Sequence, residues 1–241
     1  MSHLQPYLYS SFTSKNENLA TPRALPRMVN SEQQLLRDAA SEIGLSLSDQ
    51  QFFQLLSYVD LLEKWNGAFN LTAVRHRAEL LSRHIVESLS IAPFLSGTYR
   101  ADIGTGAGLP GIPLAITEPG VDYVLVDSNG KKTRFLLEVK RALGLSNIEV
   151  ETTRVENWQP KRAVDAVITR AFADLATTIE RIDHVLHDQS VLFAMKTEGA
   201  ADELRALPVS MEHINQREVV VPGRDWAFQL LTIQRSKQLG L

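Results

Sequence analysis

The 241-residue sequence predicts an α/β protein: a mostly parallel, seven-stranded sheet ending in an antiparallel hairpin, with an N-terminal helical cap. Three observations predict it. Apolar residues recur at helical spacing as far as about residue 95. Beyond Ser96-Gly97, short apolar runs alternate with helical stretches. The last two apolar runs flank Pro222-Gly223-Arg224-Asp225 with no helix between them. Buried strands that alternate with helices are the mark of βαβ units.

Residues 1–30 contain Pro6, Pro22 and Pro26 and no apolar stretch of the kind a secretory signal carries, so they read as a disordered leader. Met28 stands as a plausible start just ahead of the first helix. The cap occupies 31–95. Ser31 with Gln34 has capping-box spacing, Leu35, Leu36, Ala39 and Ile43 share a face, and Gly44 stops the helix. Ser48 with Gln51 repeats the box; Phe52, Leu55, Leu56, Val59 and Leu62 continue down to Trp65, and Asn66-Gly67 is the expected end. A third helix, 77–91, turns Leu80, Leu81, Ile85 and Leu89 inward. From 96 to 241 runs the sheet domain. Its strands are expected at 101–103, 123–126, 148–150, 166–168 and 191–194, its helices at 110–117, 130–143 and 174–187, and its closing hairpin at 218–221 and 228–233.

Composition narrows the function. The chain has no cysteine, so thiolate zinc sites, disulfide staples and cysteine nucleophiles are excluded. A net charge of −3 gives no bulk field for nucleic acid, so such a partner needs a local basic patch. No apolar run is long enough to span a membrane. A cytoplasmic monomer without a resident metal is the expectation.

The sharpest local signal is Asp102-Ile103-Gly104-Thr105-Gly106-Ala107-Gly108-Leu109-Pro110-Gly111. Glycines at every second position after a buried strand let a ligand lie on the backbone, and the helix that follows offers free N–H donors to an anion. Two frames compete. Read from Gly106, the run matches the dinucleotide fingerprint, with Asp127 placed 21 residues on. Read from Asp102, it resembles the first motif of class I S-adenosylmethionine-dependent methyltransferases, in which Asp102 holds the ammonium, the loop amides the carboxylate and Asp127 the ribose. The second frame uses both acids, the first only one. Adenine then falls beside Arg154-Val155-Glu156, with Val155 on the ring and Glu156 or backbone groups at its edge.

The acceptor is approached by elimination. Carbon-5 pyrimidine chemistry needs a cysteine. Exocyclic amines are commonly served by an Asn/Asp-Pro-Pro-aromatic loop, where this chain has Thr169-Arg170-Ala171-Phe172. Guanine N7 needs no deprotonation, only alignment. Lys131, Lys132, Arg134, Lys140 and Arg141 crowd one helix, and Arg154, Arg170 and Lys196 each follow a strand, where open α/β sheets bind ligands. Phe172 is placed to stack a base. His84 and Trp65 read as packing residues. A small-molecule methyltransferase, a dinucleotide oxidoreductase and a non-catalytic assembly factor are the competing readings.

Longer runs carry a family resemblance. Trp65-Asn66-x-x-Phe69-Asn70-Leu71-Thr72, Arg83-His84-x-x-Glu87-Ser88-Leu89, Asp102 to Pro113, Leu125-Val126-Asp127-Ser128 with Lys131, and Thr169-Arg170-Ala171-Phe172 resemble the bacterial small-subunit rRNA methyltransferase G family, also called glucose-inhibited division protein B. The likeness spans about residues 31–235; Thr169 departs from the usual serine, and the leader has no counterpart. It implies a class I fold with S-adenosylmethionine as cofactor, acting on N7 of one guanine in the decoding-region loop of 16S rRNA, as naked RNA or in the 30S subunit. It assigns Gly104, Leu109, Val155, Glu156 and Arg170 to the cofactor. Lys131, Arg154, Arg170 and Lys196 fall around the target base. Together with the loop reading, the cofactor set is Asp102, Gly104, Thr105, Gly106, Gly108, Leu109, Asp127, Val155, Glu156 and Arg170.

Overall fold

The computed structural model describes residues 31–197 and 199–236; the expected leader lies outside them. Helix α1 (Ser31–Ile43) buries Leu36, Ala39 and Ala40, while Leu35 stays 40% exposed, so its inward face is centred differently from the expected one. Helix α2 (Asp49–Phe69) starts at Ser48, whose side chain accepts from Gln51 N while the Gln51 side chain accepts from Ser48 N. The helix runs through Asn66-Gly67 instead of stopping there, and ends on Asn70 in the left-handed conformation, φ 51°. The reason is burial: Asn66 donates from Nδ2 to Val74 O (2.9 Å) and accepts from Thr72 N (2.9 Å), so it ties down the following loop rather than ending the helix. The third helical rod joins α3 (Arg77–Glu79), a π-helical turn (Leu80–Val86) and α4 (Glu87–Leu89). Leu80, Leu81, Ile85 and Leu89 are all buried.

The sheet follows: β1 (Tyr99–Ile103), α5 (Gly111–Thr117), β2 (Asp122–Asp127), α6 (Gly130–Leu143), β3 (Ile148–Thr152), β4 (Ala166–Arg170), α7 (Leu175–Ile182), β5 (Val191–Lys196), α8 (Ala200–Arg205), β6 (Met211–Val220) and β7 (Ala227–Arg235). The seven strands stand in the order β3-β2-β1-β4-β5-β7-β6. The first five are parallel, and β7 is antiparallel to both β5 and β6. The order reverses between β1 and β4, so a crevice opens at their carboxyl ends, where ligands bind in such sheets.

Two elements differ from expectation. β6 begins at Met211 rather than 218, because its first half is an exposed polar edge held by backbone pairing to β7 and carries no alternating pattern. Helix α8 has only six residues and one buried side chain, Ala200, too little for a periodic signal. The cap is continuous in packing with the sheet: Leu36, Leu62 and Leu89 share one apolar cluster with Ile112, Leu125 and Phe135. Trp65 anchors that junction, its ring centroid 5.6 Å from that of Phe135. The opposite face packs α7 through Leu175, Ile179 and Ile182 on Ala101, Val124 and Val167.

Candidate active site

The loop after β1 is fixed from beneath. Asp102 is fully buried, and its Oδ2 accepts from Thr105 Oγ1 (2.6 Å) and Gly111 N (2.8 Å). Desolvation pushes the Asp102 carboxyl up to about 6, against the opposing pull of those hydrogen bonds. Tyr58 donates to Ala107 O (2.7 Å), tying the loop to α2 from the interior. At the tip of β2, Asp127 accepts from Gly106 N (2.9 Å) and Asn129 N (2.8 Å), so a single carboxylate joins two adjacent turns. Gly104 has φ +69°, and a Cβ there would lie 2.4 Å from Cδ2 of Phe172. The ring therefore closes over a position that only glycine can occupy without displacement.

These groups border a first cleft of about 380 Å³ at the tips of β1, β2 and β3, lined by Gly104, Asp127, Ser128, Lys132, the 153–156 turn, Ala171, Phe172 and Arg181. Val155 is buried there, and Glu156 pairs with Arg181 at 3.4 Å. A second cleft of about 670 Å³ lies between the tips of β4, β5 and β7 and the third helical rod. Both clefts touch Ala171, a non-glycine residue in the left-handed region at φ 49°. Such a conformation is uncommon for alanine and holds the junction in one geometry.

Arg170 organises the second cleft. Its Nε stands 3.0 Å from Glu87 Oε1, and its Nη2 donates to Arg83 O (3.1 Å). Lys196 donates to Ala173 O (2.6 Å) and pairs with Glu203 (2.7 Å). Arg224 bonds Ser82, while Trp226 and Phe228 supply an aromatic wall. Beside the guanidinium, His84 is 6% exposed and its Nε2 contacts Thr72 Oγ1 at 2.8 Å. Burial, with Arg170 adding to it, lowers its pKa to about 4, so it is a neutral packed group at pH 7.

The expected site residues divide accordingly. Gly104, Asp127, Arg154, Val155 and Glu156 line the first cleft; Arg170 and Lys196 line the second. Arg170 lines the second cleft and not the first, which its neighbour Ala171 borders. Asp102 and Thr105 meet through Asp102 Oδ2, which holds the loop, while the buried Asp102 Oδ1 has no hydrogen-bond partner among the described residues. Gly106 bonds Asp127 through its N–H, without entering the lining. Gly108 faces Ile112 and Leu136, and Leu109 is buried in the core. Lys131 is exposed outside both clefts, and its neighbour Lys132 takes the place beside Asp127 at 3.7 Å. Phe172 covers Gly104 instead of facing the second cleft. Sequence reading missed Glu87, Arg224, Trp226 and Phe228 as site residues; the Arg83–Glu87 run held the one available signal, an i, i+4 charged pair within a helix already expected.

Known proteins resemble the chain in sequence and in fold. A family model described as rRNA small subunit methyltransferase G matches residues 51–227. A relative from Saccharophagus degradans is 48% identical over 173 residues, covering 72% of this chain and 78% of its own. One from Pseudomonas syringae pv. tomato is 45% identical, covering 84% and 96%, and one from Escherichia coli is 41% identical, covering 87% and 100%. All three are named Ribosomal RNA small subunit methyltransferase G. Among solved structures, an S-adenosylmethionine-dependent methyltransferase from Aquifex aeolicus shares the fold at 17% identity and a TM-score of 0.51, covering 65% of this chain and 93% of that one.

Proposed function

The chain belongs to the rRNA small subunit methyltransferase G family, and on that premise we propose that it methylates N7 of one guanine in the decoding-region loop of 16S rRNA. It is an S-adenosylmethionine-dependent rRNA methyltransferase. The first cleft fits that cofactor: its volume lies in the usual range for small-molecule sites, Gly104 leaves backbone bare beneath Phe172, and an acid and an apolar residue stand at successive strand tips. Gly104 and the loop would hold the amino-acid end, Asp127 the ribose and Val155 the adenine. Bound there, S-adenosylmethionine supplies a methyl group on a sulfonium, ready for in-line displacement.

The observation that carries the reading is the second cleft, which meets the first at Ala171 and is walled by Arg83, Arg170, Lys196 and Arg224 together with Trp226 and Phe228. Cations fix a polyanion while an aromatic wall receives a base. Guanine N7 carries no proton, so the chain needs no base, and the neutral, locked His84 is consistent with that. What the protein supplies is alignment, worth about 7–11 kcal/mol in well-oriented systems. One chain carries both clefts, which supports a monomer as the working unit, and a ribosomal RNA substrate supports a cytoplasmic location. Among the described residues no helix is long and apolar enough to cross a membrane.

Nucleoside mass spectrometry of 16S rRNA from cells with and without the protein tests the reading. Loss of a single 7-methylguanosine in its absence is expected. An unchanged profile, or loss of a different methylated nucleoside, would overturn it.

A further inference from the structure

Aligning N7 does not by itself select guanine, because adenine presents an equivalent unprotonated N7. A discriminating contact must therefore come from the protein. We propose that Glu87, paired with Arg170, reads the Watson–Crick edge of the target base and admits guanine over adenine; this rests on the guanine-N7 reading above. Both side chains line the second cleft, against the aromatic wall of Trp226 and Phe228. Arg170 Nε engages Glu87 Oε1 at 3.0 Å, and Nη2 is taken by Arg83 O. Two polar atoms are left over. Arg170 Nη1 is buried without a hydrogen-bond partner, and Glu87 Oε2 takes no part in the ion pair and accepts no hydrogen bond among the described residues. The Glu87 side chain is only 9% exposed, and a nearly buried carboxylate with open acceptor capacity calls for an explanation.

The two open groups form a pattern. Arg170 Nη1 is sealed from solvent in this structure, so a swing of the guanidinium toward the cleft is part of the proposal; after it the pair offers one donor and one acceptor. Guanine presents the complement on adjacent atoms: O6 accepts and N1–H donates. Adenine presents the reverse, an N6 amine that donates and an N1 that accepts, so both contacts would fail together. Pockets that receive an unstacked base read it in this way, by Watson–Crick contacts within an apolar or aromatic frame. Glu79 also lines the cleft, but no cation among the described residues holds it. Glu203 is occupied by Lys196 and Leu175 N. Glu87 alone of the three is both gripped and open.

The test uses small-subunit particles reconstituted with 16S rRNA carrying guanine, inosine, 2-aminopurine or adenine at the target position. The unaltered protein should methylate guanine and inosine, which share O6 and N1–H, and lose roughly 10- to 100-fold in kcat/KM on the other two. Glu87→Gln should lower the guanine rate by a similar factor and narrow the guanine-to-adenine ratio. Glu87→Asp should recover part of that ratio, and S-adenosylhomocysteine affinity should be unchanged in both variants. If Glu87→Gln does not fold, Glu87→Asp on the same analogue series decides, and an unchanged preference for inosine over 2-aminopurine in that variant overturns the assignment to Glu87. Equal rates on inosine and 2-aminopurine, or a Glu87→Gln protein with the original base ratio, would overturn the inference while 7-methylguanosine formation stands. Formation of another methylated nucleoside by the unaltered protein would instead overturn the underlying reading.

Discussion

The two clefts that meet at Ala171 are built by different means. The first is a backbone site: consecutive turns after β1, β2 and β3 supply it, and the key hydrogen bonds run between Asp127 and the N–H groups of Gly106 and Asn129. The second is a side-chain site, assembled from the third helical rod, β4, β5, the turn before α8 and the hairpin, with Arg170 at its centre. A backbone site tolerates change outside its turns, because peptide groups cannot be mutated away. A side-chain site concentrates its function in a few long residues, each of which can be removed. The first therefore suits a ligand of fixed chemistry, and the second a partner that has to be discriminated.

Arg170→Ala is the largest expected break in that contrast. Methyl transfer to small-subunit particles should fall by roughly 100- to 1000-fold, the scale of losing one preorganised charged donor. Affinity for S-adenosylhomocysteine, measured by calorimetry, should stay within about threefold, because the first cleft does not include this side chain. The variant should also lose about 3 kcal/mol of stability, because truncation leaves Glu87 unpaired where it is only 9% exposed. Adding Glu87→Gln should restore most of that stability without restoring activity. A large drop in cofactor affinity in Arg170→Ala would place the residue in both clefts and erase the distinction.

The same contrast explains what could be read from the residues alone. The glycine loop, Asp127 and Arg154-Val155-Glu156 each sit in a short contiguous run at a strand end, so periodicity and turn chemistry bring them together. The helix and strand order followed from apolar spacing for the same reason. Arg170 and Lys196 were legible as cations at successive strand ends, but Glu87, Arg224 and Trp226 join them only through the folded topology, across more than a hundred residues, and no local pattern marks those three as neighbours. Within the first cleft, local sequence leaves facing ambiguous. Asp102 Oδ2 and Thr105 point to each other, and of two adjacent lysines it is Lys132 that reaches Asp127, because one position on α6 rotates the side chain by about 100°. The end of α2 was misplaced because Asn66 is spent on tertiary hydrogen bonds to the loop at 72–74.

Asp102 sharpens the comparison at intermediate magnitude. Its pKa rises from 3.8 to about 6 on folding, with desolvation the dominant cause. Below pH 4 the carboxyl is protonated in both states and imposes no penalty. Between pH 4 and 6 the unfolded chain ionises first, so stability falls as pH rises, and above 6 the loss is constant. The integrated difference is about 3 kcal/mol. Asp102→Asn cannot ionise, so denaturant unfolding at pH 4, 5, 6 and 7 should show it gaining on the unaltered protein by about that amount as pH rises. A difference independent of pH would mean that Asp102 is ordinarily solvated and that the floor of the first cleft is not sealed.

The finest test separates two adjacent lysines. Lys132 lines the first cleft 3.7 Å from Asp127, and Lys131 is exposed outside both clefts. A partly exposed ion pair contributes at most about 1 kcal/mol, so Lys132→Ala should weaken S-adenosylhomocysteine binding by no more than about fivefold. Lys131→Ala should leave that affinity unchanged. If Lys131 meets the RNA backbone, its removal should instead reduce the slope of log affinity for the small-subunit particle against log salt by about one, uniformly across target-base variants. Calorimetry and filter binding at several salt concentrations read the two effects separately. If both variants changed cofactor affinity equally, the cation beside Asp127 would be acting as diffuse charge, and the first cleft would not have the residue-by-residue definition that its hydrogen bonds give it.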